Sequence, residues 1–165
     1  MKETRKIAAG AMMAAVCFVI MLLGLVLGLG TYAAPLLAGV AKIPYGQKYG
    51  RKYQLMVFAV SAALCLMLLP GVEQNLMYLG FYGWYPALWP SLQILPKVPR
   101  IAAKLIIFNV LFISIEMLVM LVLVPEVMES VLFVIFIITA NVAFLAYDYM
   151  IPLLDVPFRK IKKII

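Results

Sequence analysis

Glu116 is the residue whose type and surroundings are best suited to chemistry. It is an ionisable side chain inside a long apolar stretch, residues 101–124, and ionisable residues in such stretches are costly and usually functional. Asn109 lies seven residues earlier and therefore shares its helical face. Glu116 is predicted to hydrogen-bond a ligand, to pair with a cation or to carry a proton. The alternative is a neutral acid that hydrogen-bonds between helices.

A second set of polar residues lies in the last apolar stretch, residues 131–154. Asn141 is near its middle, and Asp148 follows two helical turns later. Asn109 and Asn141 are predicted to hydrogen-bond between helices, because amides commonly join membrane helices in this way. Asp148 is predicted to pair with a cation, and Lys104 is one candidate.

The remaining residues argue against catalysis and against metal or cofactor binding. The chain has no His, no serine in a nucleophile motif and no phosphate-binding glycine loop. Cys17 and Cys65 lie singly within apolar stretches and are predicted to be buried thiols. We therefore expect no enzyme activity, no metal site and no cofactor. The net charge of +7 does not indicate nucleic-acid binding, because the cations are dispersed over loops where they meet anionic lipid headgroups.

The composition requires a membrane domain to position these residues. The chain is 67% hydrophobic with a mean hydropathy of +1.10, whereas soluble domains are about 45–50% apolar. The apolar stretches are residues 7–29, 31–41, 53–69, 76–90, 101–124 and 131–154. A spanning helix needs about 20 residues, so the second and fourth stretches are short. The alternative arrangement is four spans with two interfacial segments.

The cations fall in alternate gaps between these stretches. All 14 of them lie at the N-terminus, in the gaps after the second and fourth stretches (with the first turn of the fifth), and in the tail. The other gaps contain Glu73, Glu126 and Glu129. Because positive loops stay cytoplasmic, we predict an all-α integral membrane protein with six transmembrane helices and both termini inside. It forms a single domain over residues 1–165, with a retained first helix rather than a cleaved signal peptide.

Small residues form two pairs at helical spacing in the first helix. The pairs are Gly10 with Ala14 and Ala11 with Ala15. Such spacing lets a second helix approach closely. These four residues are predicted to dock a partner subunit, and the alternative is packing against another helix of the same chain.

The fourth stretch is rich in aromatic residues and is interrupted. Five aromatics lie within residues 78–85, Trp89 follows, and two glycines and two prolines break the pattern. Aromatics near span ends usually form an interfacial belt, which is the prediction for Trp84, Tyr85 and Trp89. The alternative is a broken helix that lines a cavity.

Three segments carry a family resemblance: Gly80-Phe-Tyr-Gly-Trp-Tyr-Pro-Ala-Leu88, Lys104-Leu-Ile-Ile-Phe-Asn109 and Tyr147-Asp148. With six predicted spans and the Ala11/Ala15 pair, the chain resembles the S components of energy-coupling-factor (ECF) transporters. More narrowly, it resembles an uncharacterised S-component-like family of Gram-positive bacteria. The resemblance covers most of the chain in topology and about thirty residues in motif. Relatives usually carry a basic residue where this chain has Trp89.

The resemblance implies a substrate-binding subunit of an importer in the bacterial cell membrane. Such a subunit binds a micronutrient-like small molecule in its outer half. It then docks on a transmembrane coupling subunit driven by cytoplasmic ATPases, and it topples in the membrane to release the substrate inside. The implied substrate-binding candidates are Thr31, Tyr32, Gln74, Asn75, Tyr78, Glu116 and Asn141. A flat organic ligand suits aromatic walls with a few directed polar groups.

Two other functions compete with the transporter subunit. A non-transporting membrane scaffold would use the small-residue face and the Met-rich helices only for contacts with partner proteins. A self-contained channel or carrier is the second alternative. A carrier is expected to show an internal repeat, and none is recognisable in the sequence.

Overall fold

The computed structural model describes residues 2–28, 31–122 and 130–161. The regular secondary structure of this part is entirely helical, and no strand occurs within it. The elements are α1 (Lys2–Val26), α2 (Ala33–Ala41), α3 (Ile43–Tyr49), α4 (Arg51–Leu68), α5 (Val72–Met77), a π-helical segment (Tyr78–Tyr82), α6 (Tyr85–Leu92), α7 (Lys97–Val122) and α8 (Ser130–Ile161). Glu126, Glu129, Lys162 and Lys163, which entered the topology prediction, lie outside the described residues.

Among the residues that the structure describes, three helices are long and apolar enough to cross a membrane. They are Glu3–Val26, Arg51–Leu68 and Lys97–Leu121, and a shorter apolar helix, Ile137–Leu153, lies within α8. Their outward faces carry large exposed apolar side chains; Met12, for example, is 72% exposed. Such surfaces suit lipid rather than water. The prediction of an all-helical membrane fold is confirmed to this extent.

The second apolar stretch is longer than predicted and contains a buried lysine. After α2 ends at Ala41, the chain continues through Lys42 directly into α3. Lys42 is only 1% exposed, so the prediction that it belongs to a loop is wrong. Pro44 lies in the first turn of α3, where a missing N–H is harmless. The turn into α4 comes at Gly50, whose φ of 101° favours glycine.

The fourth stretch is interrupted, as its glycines and prolines predict. Between α5 and α6 the chain widens into the π-helical segment, in which the Gly83 N–H donates to the Tyr78 carbonyl at 2.8 Å. A side chain at Gly83 would collide with Phe58 and with that carbonyl. The wider turn changes which side chains face inward along this segment.

Aromatic rings turned inward by this segment form the core of the molecule. Phe108 and Phe144 stack at 4.4 Å between ring centroids, and Phe81 stacks on Tyr85 at 4.7 Å. Tyr85 has no exposed surface, so the prediction that it belongs to an interfacial belt is wrong, while Trp84 and Trp89 are half-buried. The buried rings of this cluster, which we call the aromatic core, are Phe81, Tyr82, Tyr85, Phe108, Phe112, Phe144 and Tyr147.

Contacts among the charged loops define one end of the bundle. The Tyr45 hydroxyl donates to the Lys6 carbonyl at 2.9 Å, and Arg51 donates to the Ser91 hydroxyl at 2.6 Å. Nearby, Arg100 donates to Gln93 at 2.7 Å. We call this the cationic end, and we call the opposite end, where α1 finishes and α5 begins, the Glu73 end.

The first helix uses its two small-residue pairs differently. Gly10 and Ala14 are buried, and a Cβ on Gly10 would lie 2.7 Å from the Tyr45 hydroxyl. These two residues therefore pack within the chain, which was the alternative to docking. Ala11 and Ala15 are exposed and leave a smooth surface on the outer side of α1.

Candidate functional site

Three polar side chains from separate segments meet at the Glu73 end. Tyr32 immediately precedes α2, Glu73 lies in the first turn of α5, and Glu116 lies in α7. The Tyr32 hydroxyl oxygen is 2.9 Å from Glu73 Oε1 and also 2.9 Å from Glu116 Oε1. Glu116 is only 4% exposed. We call these three residues the carboxyl–phenol cluster.

The number of hydroxyl and carboxyl protons limits the hydrogen bonds that the cluster can form. A phenol has one hydroxyl proton and can donate to one acceptor at a time. Its second short contact to a carboxyl oxygen is a hydrogen bond only if that carboxyl group is protonated and donates to the phenol oxygen. Two ionised carboxyl groups that both contact one hydroxyl oxygen would also repel each other. The geometry therefore favours a cluster that holds at least one carboxyl proton.

An open groove of about 490 Å³ adjoins the cluster. Its walls come from the end of α1, the segment before α2 and the turn into α5; the lining residues are Gly24, Leu25, Gly28, Thr31, Pro70, Gly71, Val72, Glu73 and Gln74. Glu73 thus belongs to both the cluster and the groove. The groove is within the size range of small-molecule sites.

The amide nitrogen of Gln74 holds this side chain in the groove wall. Its Nε2 donates to the Met21 carbonyl at 2.7 Å, and the residue is 5% exposed. Within the described part of the chain, no donor bonds to its Oε1. Oε1 is not fully enclosed by the protein, so this acceptor remains accessible from the groove.

The structure brings together four of the seven predicted substrate-binding residues. Thr31 and Gln74 line the groove, and Tyr32 and Glu116 belong to the adjoining cluster. Sequence reasoning missed Glu73, which it treated as a charge in an outer turn. Its position beside Gln74, just after Pro70-Gly71, was the available signal. Whether these residues bind a substrate stays a prediction.

The other three candidates lie elsewhere and make structural hydrogen bonds. Asn75 donates to the Cys65 and Leu69 carbonyls at 3.1 and 2.9 Å, and it thereby caps the end of α4. Asn141 exchanges hydrogen bonds of 2.8 and 2.9 Å with Asn109. This confirms the prediction that both amides hydrogen-bond between helices, here α7 and α8.

Tyr78, the last of these candidates, lies beside Lys42 in the interior. The Lys42 Nζ donates to the Tyr78 hydroxyl at 3.0 Å, and the Ser61 hydroxyl lies 2.7 Å from the same oxygen. Lys42 Nζ also lies 4.9 Å from the centroid of the Phe58 ring. No carboxylate forms an ion pair with Lys42 within the described residues. Cys17 and Cys65 are buried free thiols, as predicted.

A second charged group lies toward the cationic end. Lys104 Nζ is 2.8 and 2.7 Å from the two carboxylate oxygens of Asp148, which confirms the predicted pairing. The Tyr85 hydroxyl donates to the same carboxylate at 2.6 Å. These contacts join α6, α7 and α8 below the aromatic core, and they leave the Asp148 carboxylate with three hydrogen bonds.

Comparison with known proteins adds no assignment to this geometry. No protein-family model, curated protein or solved structure matches the chain. Among the described residues, no group of three or more His, Cys, Asp or Glu side chains is arranged to hold a metal ion. The features that bear on function are therefore the groove, the carboxyl–phenol cluster and the exposed faces of the helices.

Proposed function

We propose that this chain is the substrate-binding S component of an ECF-type importer for a small molecule in a bacterial cell membrane. The observation that carries the proposal is the open groove at the Glu73 end. Acceptor groups from α5 lie in its wall, and the carboxyl–phenol cluster adjoins it. A concave site with a few convergent polar groups is the usual form of a ligand site.

The proposed membrane arrangement has six crossings with both termini cytoplasmic. α1, α4, α7 and α8 each cross once, α2 and α3 together form one crossing, and α5 to α6 form another. Contacts among the described basic loops at one end of the bundle support this arrangement, because positive loops remain in the cytoplasm. The groove then opens on the outer side, where an importer collects its substrate.

The proposed docking surface is the exposed Ala11/Ala15 face of α1. A coupling helix can approach this face closely, because neither residue extends beyond a methyl group. Gly10 and Ala14 support the surface from behind by packing on Tyr45 and its neighbours. ATP would be hydrolysed by partner subunits, since the chain has no nucleotide-binding motif.

The proposed docking role of α1 is tested by leucine substitutions on its exposed face. Ala11→Leu and Ala15→Leu enlarge exposed positions and should abolish co-purification with a coupling subunit while the isolated protein keeps its melting temperature. Ala63→Leu is the matched control, since Ala63 is an exposed alanine on α4. Unchanged co-purification of both α1 variants would overturn the docking role.

The proposed substrate binding is tested by mass spectrometry of small molecules extracted from the purified protein. A stoichiometric compound that raises the melting temperature, and that Glu116→Gln loses without an equal loss of stability, would support the S-component function. A protein that carries no compound and responds to none would instead favour a membrane scaffold.

A further inference from the structure

We infer that the carboxyl–phenol cluster holds one shared proton, and that an organic cation with an ammonium group binds in the groove in exchange for it. This inference rests on the proposed function and names the chemical class of its substrate. It also adds a dependence on pH, which a simple binding site for a neutral compound would not have.

The contacts of Tyr32 favour this shared proton. Two carboxyl oxygens lie 2.9 Å from one hydroxyl oxygen, and a single phenol proton satisfies only one of them. In the proposed state the second carboxyl group donates to the phenol oxygen. With one carboxyl proton and a neutral phenol, the cluster carries a net charge of −1 spread over Glu73 and Glu116.

No described cation compensates that charge. The nearest lysine along α2 is Lys42, whose Nζ is bonded to Tyr78 ten residues from Tyr32. Along α7, Lys104 is bonded to Asp148, twelve residues from Glu116.

The other neighbouring elements bring no opposing charge to the cluster. The described end of α1 has no charged side chain within 7–28, and the segment of α5 holds only Glu73. The π-helical segment contributes the phenols Tyr78 and Tyr82, and neither is bonded to the cluster. The described part of α8 nearest Glu116 along the bundle carries Thr139 and Asn141, which bond to other groups. A bound cation would therefore offset the negative charge that the cluster gains when its shared proton leaves.

An independent observation in the groove points to the same ligand chemistry. Gln74 Oε1 is an acceptor without a described partner on a side chain that is 95% buried, since its exposed fraction is 5%. Together with the Glu73 carboxyl group and the Thr31 hydroxyl, it offers acceptors to a solute rich in N–H donors, which is the property of an ammonium group.

The exchange conserves charge. The bound ammonium group lies against the Glu73 carboxylate, and the shared proton leaves to water. The cluster and its ligand together keep a net charge of −1. Because binding releases one proton, the dissociation constant should fall by up to about tenfold for each unit rise in pH, by linkage. This trend applies over the pH range in which the cluster without solute keeps its shared proton and the amine stays charged.

The proton is tested by infrared spectroscopy of the full chain in lipid nanodiscs. The wild type should show the carbonyl band of a protonated carboxyl group at neutral pH. Glu73→Gln and Glu116→Gln should each lose this band, because one phenol proton then suffices for the remaining carboxylate. Glu3→Gln, at an exposed acid near the other end, is the control and should keep it. Absence of the band in the folded wild type would overturn the inference, whether or not a solute binds.

The solute class is tested with benzylammonium and its neutral counterpart, benzyl alcohol. Benzylammonium should remove the acid band and raise the melting temperature more at higher pH, and Glu73→Gln should abolish both effects. Equal effects of the two compounds, or a band unchanged by benzylammonium, would overturn the exchange. A neutral co-purified solute that binds independently of pH would overturn this inference and leave the proposed function standing.

Discussion

Replacing Asp148 with Asn should destabilise the protein far more than removing the whole ion pair. The carboxylate receives two hydrogen bonds from Lys104 and one from Tyr85. The side chains of Lys104 and Asp148 are 7% and 22% exposed. Asn keeps the size of the side chain and an acceptor for Tyr85, but it leaves a buried lysine without its counter-charge.

The expected size follows from this burial. Removing one member of a buried ion pair costs about 3–5 kcal/mol, and the residual exposure of Asp148 places the expected loss near the lower limit, at about 3 kcal/mol. Replacing both members, with Lys104→Met and Asp148→Asn, removes the stranded charge. Methionine also preserves the packing of the lysine stem, so the double variant should lose only about 1 kcal/mol or less.

The free energy of unfolding can be measured by SDS titration in mixed micelles. Trp89 is a local reporter, because Lys104 Nζ lies 5.4 Å from its ring centroid, and a Trp84→Phe background isolates its fluorescence from that of the second tryptophan. Glu3→Gln, which breaks an exposed pair with Lys6, should leave the midpoint unchanged. The reasoning is refuted if Asp148→Asn alone is no less stable than the double variant.

Four further substitutions test other parts of the structure by the same titration. Lys42→Met should be neutral or stabilising by about 1–4 kcal/mol, because an apolar side chain of similar size replaces a buried group that lacks an ion-pair partner; a loss of stability would contradict this. Asn109→Ala and Asn141→Ala should couple by about 0.6–1.7 kcal/mol in a double-mutant cycle, and additive losses would show that the amides do not interact. Gly50→Ala should cost about 1–2 kcal/mol, since its φ is positive, and an unchanged midpoint would mean that the turn can relax.

Pairs that join neighbouring helices could be predicted from the sequence. Asn109 and Asn141 lie deep in two adjacent apolar stretches, and amides there have few partners other than each other. Lys104 and Asp148 lie toward the same end of those stretches. Helical period and depth along the helix were enough to predict Lys104 as a candidate partner of Asp148 and to predict that both amides bond between helices, but not that the amides bond to each other.

The carboxyl–phenol cluster could not be predicted in the same way. Its contacts join residues 41 and 84 positions apart, and Glu73 lies in a short segment that resembles a solvated turn. The prediction that Lys42 lies in a loop was wrong for a related reason. Charge patterning treats every lysine as a loop residue, whereas the aromatic faces of Phe58 and Tyr78 allow this one to be buried.

The burial of Lys42 has a consequence for the order in which the chain is assembled. Its contacts come from α4 and from the π-helical segment, which follow it by 16 and 36 positions and are synthesised later. A lone lysine at the centre of a membrane helix is unfavourable by about 2.5–3.5 kcal/mol. In the proposed topology, the α2–α3 segment therefore reaches its final depth only after the segments that follow it have left the ribosome. Biogenesis of this protein is thus expected to proceed through an intermediate in which α1 is inserted first and α2–α3 waits at the membrane surface.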